Sequence, residues 1–408
     1  MPLTRTQVYR RRRVVVFGGL GLALGIAFYL PLTMLAPLRA VSAEIVPVEI
    51  AAAAAPVVDW PDYGASAVGA IGFPGVLGQS GSDHALPMAS ITKVITALVV
   101  LDAHPLGPDD PGPTITTTAA DVQHYRDYLA QNGKVTSVRA GLELSQRDLL
   151  DLTLVESANN YTLTLTLWAF GSVDAFVDAA GAWLDAHGLS GIRVVEPTGI
   201  DAGNTATAAD LVELARLALA DPAVAPIVGT ASFTVAGLGD FETTNELLGS
   251  QGVTGIKTGT LDDFGANLLF SAEYPVGGSW VTVVGVVLGG PDHDALNRDI
   301  LALLNGVAAG FTEVTVATDG EVFGAYRTVW DGTADAVAAE DATLVVWGDT
   351  PITAEVTAAD VTSASAGADV GEAVFTAGTR TVTVELELAR ALEDPGPWWR
   401  FTHPWALF

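Results

Sequence analysis

The chain has 408 residues, half of them hydrophobic and 16% charged, which is enough apolar material for two or three domains and argues against global disorder. Its net charge is −28, unevenly spread: residues 1–39 hold six arginines and no acid, while residues 40–408 hold 13 basic and 47 acidic side chains. Such a body repels nucleic acid and anionic membrane surfaces, so no nucleic-acid partner is expected. The absence of cysteine excludes disulfides, thiolate catalysis and Cys-ligated zinc.

Arg10 to Arg13 precede 25 uncharged residues, Val14 to Leu38. As a helix this run is about 37 Å long, enough for a bilayer core of about 30 Å. Arginines stay on the cytoplasmic side. The pattern predicts a cytoplasmic basic segment over 1–13, a single transmembrane anchor over 14–38 and an extracytoplasmic body. The competing reading is a signal peptide cleaved after "VSA", although the apolar run is long for a signal core. Residues 39–60, with "AAAAAPVV", read as a linker.

"ASAVGAIGF" and "GVLGQSG" read as a strand pair joined by Pro74-Gly75. A helix starts at Ser90 in "MASITKVITALVVLD" and is ended by the loop "AHPLGPDDPGP". "SQRDLLDLTLVES" reads as a helix capped by Ser145, "VDAFVDAAGAWLDAHGL" as an amphipathic helix closed by Gly188, and "TAADLVELARLAL" as a helix capped by Thr207. "GANLLFSAEY" and "SWVTVVGVVLGG" read as an antiparallel pair, and "ALNRDILALLNGVAAGF" as a closing helix. Strands at both ends with helices between predict an α/β (α+β) domain over 61–311, an antiparallel sheet packed by helices. Beyond Phe311 the alternation in "ATLVVWG", "ITAEVTA" and "RTVTVELEL" predicts a small all-β domain over 312–408. The terminal "PWWRFTHPWALF" reads as an aromatic strand packed on that domain, with a membrane interface as the other use for Trp398, Trp399 and Trp405.

Chemistry enters through the lysines, of which there are three: Lys93, Lys134 and Lys257. Arginine carries the ordinary basic work, so a retained lysine points to an amine that can lose its proton. Ser90 and Lys93 share a helix face one turn apart. Burial at the head of an apolar helix lowers the amine's pKa, and a second cation lowers it further. The amine can then take the serine proton, while the helix start offers N–H groups to an oxyanion. Alone, Ser-x-x-Lys fits equally a helix-start serine with a snorkelling lysine. Two further stretches carry the argument: "ESANNY", with Ser157 and Asn159, and "GIKTGTLDDFGANLLF", with Lys257, Thr258, Gly259 and Thr260. Gly259 would let a substrate backbone lie against an edge strand. Thr258 and Thr260 can bond a carboxylate that Lys257 neutralises. The six histidines show no metal-ligand spacing. The local cluster Asp292-His293-Asp294 reads as an exposed polar turn, and no metal is expected.

The ordered set Ser-x-x-Lys, Ser-x-Asn, Lys-Thr-Gly is that of serine penicillin-recognising enzymes. From about Trp60 to Phe311 the chain resembles the low-molecular-mass penicillin-binding proteins, the serine D-alanyl-D-alanine carboxypeptidases. "PMASITKVITALVVLD", "EPTGIDAGNTATAADLVELA" and "TTNELL" before "GVTGIKTGT" are similar to that family's segments. The resemblance implies a serine transpeptidase/β-lactamase-like domain followed by the β domain many members carry. It implies Ser90 as nucleophile, Lys93 as base, and Ser157 and Asn159 as proton relay and orienter. Backbone N–H groups of Ser90 and Thr260 would form the oxyanion hole. Lys257, Thr258, Gly259 and Thr260 would form the substrate-binding edge. The implied partners are a peptidoglycan stem peptide ending in D-Ala-D-Ala and β-lactams as covalent inhibitors, with no cofactor. The middle motif has Ala158 where β-lactamases carry Asp, and Glu196 stands where many carboxypeptidases have Asn. A β-lactamase using Glu196 to activate water, and a non-catalytic wall-binding protein, are the alternatives.

Overall fold

The computed structural model describes residues 5–51 and 53–407, so the first four residues of the basic segment lie outside it. Two compact units emerge: Ala53–Glu313 with Val345–Thr350, and Met1–Ala52 with Val314–Leu344 and Pro351–Phe408. Helix α1, Arg5–Met34, takes in the arginines and the apolar run together and continues through Pro31. It is the one helix among the described residues that by itself is long and apolar enough to cross a membrane. Its apolar side chains are exposed: Val15 at 72% and Phe28 at 80%.

The first unit is built on a five-stranded antiparallel sheet. Its strands are β1 (Ala65–Ala70), β2 (Gly78–Gly81), β3 (Val253–Leu261), β4 (Gly265–Val276) and β5 (Ser279–Gly290), in the order β3-β4-β5-β1-β2. The long β4 and β5 are the two apolar runs joined by "PVGG", and their inner residues are almost all buried. β3 is an edge strand, so one side of its backbone is free of the ladder.

The longer helices are α2 (Thr92–Ala103), α3 (Ala119–Ala130), α4 (Gln146–Leu154), α5 (Asn159–Phe170), α6 (Val173–Ala186), α7 (Ala208–Ala220) and α8 (His293–Ala309). α2 is the central one: every residue from Thr92 to Leu101 is buried. A helix apolar nearly all round must be enclosed on all sides, and α2 shares a core with residues of α4, α5, α6, α7 and the sheet. Ser145 caps α4 by a reciprocal box, its Oγ accepting from Asp148 N while Asp148 accepts from Ser145 N. Helix α3 is absent from the sequence reading. Its cap is the same box with Thr118 and Asp121, but its polar sequence, "AADVQHYRDYLA", lacks a strong apolar period.

The second unit carries a six-stranded antiparallel sheet. A two-residue strand, Glu44–Ile45, is followed in space by β6 (Val322–Arg327), β7 (Thr333–Ala338), β10 (Arg380–Leu388), β9 (Asp369–Ala377) and β8 (Thr353–Ala358). Glu44 and Ile45 pair with Ala325 and Gly324, so part of the stretch read as linker is sheet. The aromatic terminus is a helix, α9 (Gly396–Thr402), and not the expected strand. Pro395 and Pro397 cannot serve a ladder. The helix instead packs Trp399 on Trp330 and His403, while Phe401 O accepts from Tyr29 and Arg400 donates to Ala36 O.

Candidate active site

Ser90 does not begin the α-helix. It sits in a 3-10 turn, Ala89–Ile91, that leads directly into α2. Ala89 there takes a left-handed φ of 50°. That conformation costs a residue with a Cβ of order 1–3 kcal/mol and persists where the surroundings impose it. The surroundings are close: Thr92 Oγ1 donates to Ala89 O at 2.8 Å, and a Cβ on Gly199 would lie 1.9 Å from that same oxygen. Gly259 is needed for the same reason. A Cβ on it would meet Ala89 Cβ at 2.9 Å and Ser90 N at 3.0 Å, so this glycine admits the serine turn against β3, a role the sequence reading assigned to substrate.

Lys93 is fully buried. Its Nζ lies 2.9 Å from Ser90 Oγ, 2.7 Å from Asn159 Oδ1 and 2.6 Å from Thr198 O. A neutral amine fits this set: its two N–H groups serve the amide and carbonyl oxygens, leaving the lone pair for the Ser90 hydroxyl. Burial lowers the Lys93 pKa from 10.5 to about 7; Lys134 adds to the lowering and Glu196 opposes it. The sequence pointed to Lys257 or burial as the cause, and burial dominates.

Ser157 lies in the turn between α4 and α5 at φ 64°, and Asn159 is the first residue of α5. Asn159 N bonds to Lys134 O at 2.9 Å, and Ala158 N to Leu152 O at 2.9 Å, which aims Asn159 at the Lys93 amine. Lys257, Thr258, Gly259 and Thr260 lie on β3, paired in sequence with Leu269, Leu268, Asn267 and Ala266. Lys257 is buried and its Nζ donates to Thr258 O at 3.1 Å. Its pKa is held well below the ordinary value by burial, then by the charges of Lys93 and Lys134. Thr258 Oγ1 bonds Thr244 Oγ1 at 2.5 Å.

These residues meet at a cleft of about 540 Å³ whose walls include Ser90, Ser157, Asn159, Thr258 and Thr260. The sequence reading missed three members of its surroundings. Lys134 lines the cleft and pairs with Glu156 at 3.3 Å, so all three lysines converge; its rarity was a usable signal. Thr198 serves Lys93 through a main-chain oxygen, which no side-chain motif announces. His293 lines the cleft and reaches Thr260, while its neighbour Asp292 caps α8. Among the described residues no group of three or more His, Asp or Glu is placed to share a metal ion.

The family description "D-alanyl-D-alanine carboxypeptidase" matches residues 74–291, just over half of the chain, and spans all three motifs. The chain belongs to this family. Among curated relatives, a D-alanyl-D-alanine endopeptidase of Pseudomonas aeruginosa is 37% identical over 139 residues, 34% of this chain and 42% of that protein. The D-alanyl-D-alanine carboxypeptidase DacA of Escherichia coli is 26% identical over 264 residues, 64% of each chain. The matches thus span less than two thirds of either relative's length. In solved structures the fold recurs in penicillin binding protein 5 of Haemophilus influenzae, with a TM-score of 0.58 at 20% identity over 86% of this chain and 100% of that one. It recurs also in the Streptomyces K15 DD-transpeptidase, with a TM-score of 0.53 at 23% identity over 64% and 98%. The mixed α/β serine transpeptidase fold with a C-terminal β region is therefore the fold of this chain.

Glu196 is engaged elsewhere. Its carboxylate accepts from Thr198 N and Oγ1 at 2.7 Å, from Gly199 N at 2.5 Å and from Asn204 Nδ2 at 2.5 Å. It faces a second pocket, with Tyr128 and His124, and organises the loop whose Thr198 carbonyl holds Lys93.

Proposed function

We propose that the protein is a membrane-anchored serine D,D-carboxypeptidase acting on peptidoglycan stem peptides that end in D-Ala-D-Ala. One observation carries the reading: a fully buried lysine amine 2.9 Å from a serine hydroxyl and 2.7 Å from Asn159 Oδ1, a setting that lowers its pKa. Ser90 Oγ attacks the carbonyl carbon of the penultimate D-alanine as its proton passes to Lys93. The N–H groups of Ser90 and Thr260 hold the oxyanion. The peptide C–N bond then breaks, and the departing amine receives a proton relayed by Ser157, with Asn159 orienting the Lys93 amine. Water hydrolyses the ester and restores Ser90. Thr258, Thr260 and Lys257 hold the terminal carboxylate, whose negative charge favours the protonated form of the buried Lys257 amine. β-Lactams acylate Ser90 by the same attack. α1 anchors the chain with Arg10–Arg13 in the cytoplasm and the body outside.

Cleavage of cross-links is the second reading, favoured by the relatives named endopeptidases at 37% and 34% identity. A β-lactamase that activates water through Glu196 needs that carboxylate free, and Glu196 is bonded throughout to its own loop. The test incubates the protein and Ser90→Ala with fluorescent penicillin, a D-Ala-D-Ala pentapeptide and a cross-linked peptide dimer. Stable label and D-alanine release from the parent alone are expected. Cleavage of the dimer only moves the reading to endopeptidase, and rapid loss of label moves it to β-lactamase. No label and no cleavage would refute it.

A further inference from the structure

His293 is the first residue of α8, and its Nε2 lies 2.8 Å from Thr260 Oγ1. Both residues line the cleft beside Ser90 and Thr258. Each is carried by a regular element. Thr260 is fixed by its pairing with Ala266, and His293 by the α8 cap, where Asp292 Oδ1 accepts from Ala295 N at 2.7 Å. A threonine hydroxyl has one proton, so the direction of this bond decides what Thr260 offers the cleft. If Thr260 donates to the imidazole, only its lone pairs face an incoming group. If Nε2–H donates to Thr260, the threonine proton is free to turn into the cleft.

A carboxylate accepts hydrogen bonds and cannot donate them. The same wall carries Asp262 and Asp263, so a carboxylate arriving there needs a donor. We propose that His293 is a positioning residue for substrate recognition: Nε2–H donates to Thr260 Oγ1 and makes Thr260 a donor to the substrate's terminal carboxylate. This rests on the D,D-peptidase reading, and it adds to the three motifs a residue 33 positions beyond Thr260 in the chain.

The test compares two peptides, one ending in D-Ala-D-Ala and one in D-Ala-D-alaninamide, on the full chain, His293→Ala and His293→Gln. Affinity is read as competition against fluorescent penicillin labelling, and kcat from D-alanine release. His293→Ala leaves the Thr260 hydroxyl able to donate but no longer held in place, so it should weaken the carboxylate peptide about fivefold, less than the roughly tenfold or more expected for losing a whole bond to a charged group, and leave the amide peptide and kcat within about twofold. The glutamine amide can donate to Thr260, so His293→Gln should recover most of the affinity. Equal loss for both peptides, no loss for either, or a glutamine variant as weak as the alanine one would overturn the proposal. A parent chain that neither takes the label nor binds either peptide would instead remove the D,D-peptidase reading on which it stands.

Discussion

With Lys93 as the proposed base, the acylation rate becomes a direct report on burial. An amine with its ordinary pKa of 10.5 is neutral in roughly 3 of 10⁴ molecules at pH 7, whereas one at about 7 is neutral in about half. The buried setting thus multiplies the competent base about 10³-fold at pH 7. The perturbation is pH itself, and the assay is the second-order rate constant for penicillin acylation between pH 5 and pH 10. That constant reports the free protein's groups. It should rise with pH and reach half its plateau near 7. The same profile in His293→Gln excludes the imidazole as its source. Lys93→Arg, which cannot deprotonate, should abolish acylation at every pH. Stability has a linked sign. Folded Lys93 releases its proton near 7 and unfolded Lys93 near 10.5, so the unfolded chain binds more protons between these values. The stability contribution of this residue therefore rises across that window. Half-maximal acylation near pH 10, or a rate that survives Lys93→Arg, would refute the reasoning.

Three more outcomes follow from contacts at the site. Lys134→Gln removes a charge that lowers the Lys93 pKa, so the midpoint of the acylation profile should move up; a midpoint that moves down contradicts this electrostatic role. Glu196→Ala should lower the melting temperature and slow acylation by loosening the Thr198 loop. It should leave acyl-enzyme lifetime unchanged, whereas a trapped acyl-enzyme would make Glu196 the deacylating base. Gly259→Ala forces a Cβ to 2.9 Å from Ala89 Cβ and 3.1 Å from Met88 O. Overpacking of this kind costs about 1–3 kcal/mol, and a thermal melt should show it together with slower labelling of Ser90.

The layer architecture was legible because the elements that build it carry strong periods or long apolar runs: α2, α7, β4 and β5 are each near the stretches that announce them. Helix α3 was not, because its polar residues give no apolar period and only its capping box marks it. The aromatic terminus misled for a different reason: exposed Trp398 and Trp405 resemble strand aromatics in composition, but Pro395 and Pro397 favour a helix start. Within the site, six of the eight motif residues line one cleft, while Lys93 and Lys257 are buried, Lys93 reaching it through its contact with Ser90 Oγ. The carbonyl of Thr198 and the imidazole of His293 were invisible, since each acts through a tertiary contact, at 2.6 Å with Lys93 and 2.8 Å with Thr260. Gly259 was read for the absence of a side chain, and its close approach to Ala89 and Ser90 is a second use of that property which no motif announced.

Ser90 Oγ is the atom that acylation should modify. The direct measurement is the intact mass of the protein after brief exposure to benzylpenicillin, followed by peptide mapping of the adduct. One penicilloyl group per chain is expected, carried by the peptide that contains Ser90, and none on Ser90→Ala or Lys93→Arg. An unmodified chain, or an adduct on any other residue, would contradict it.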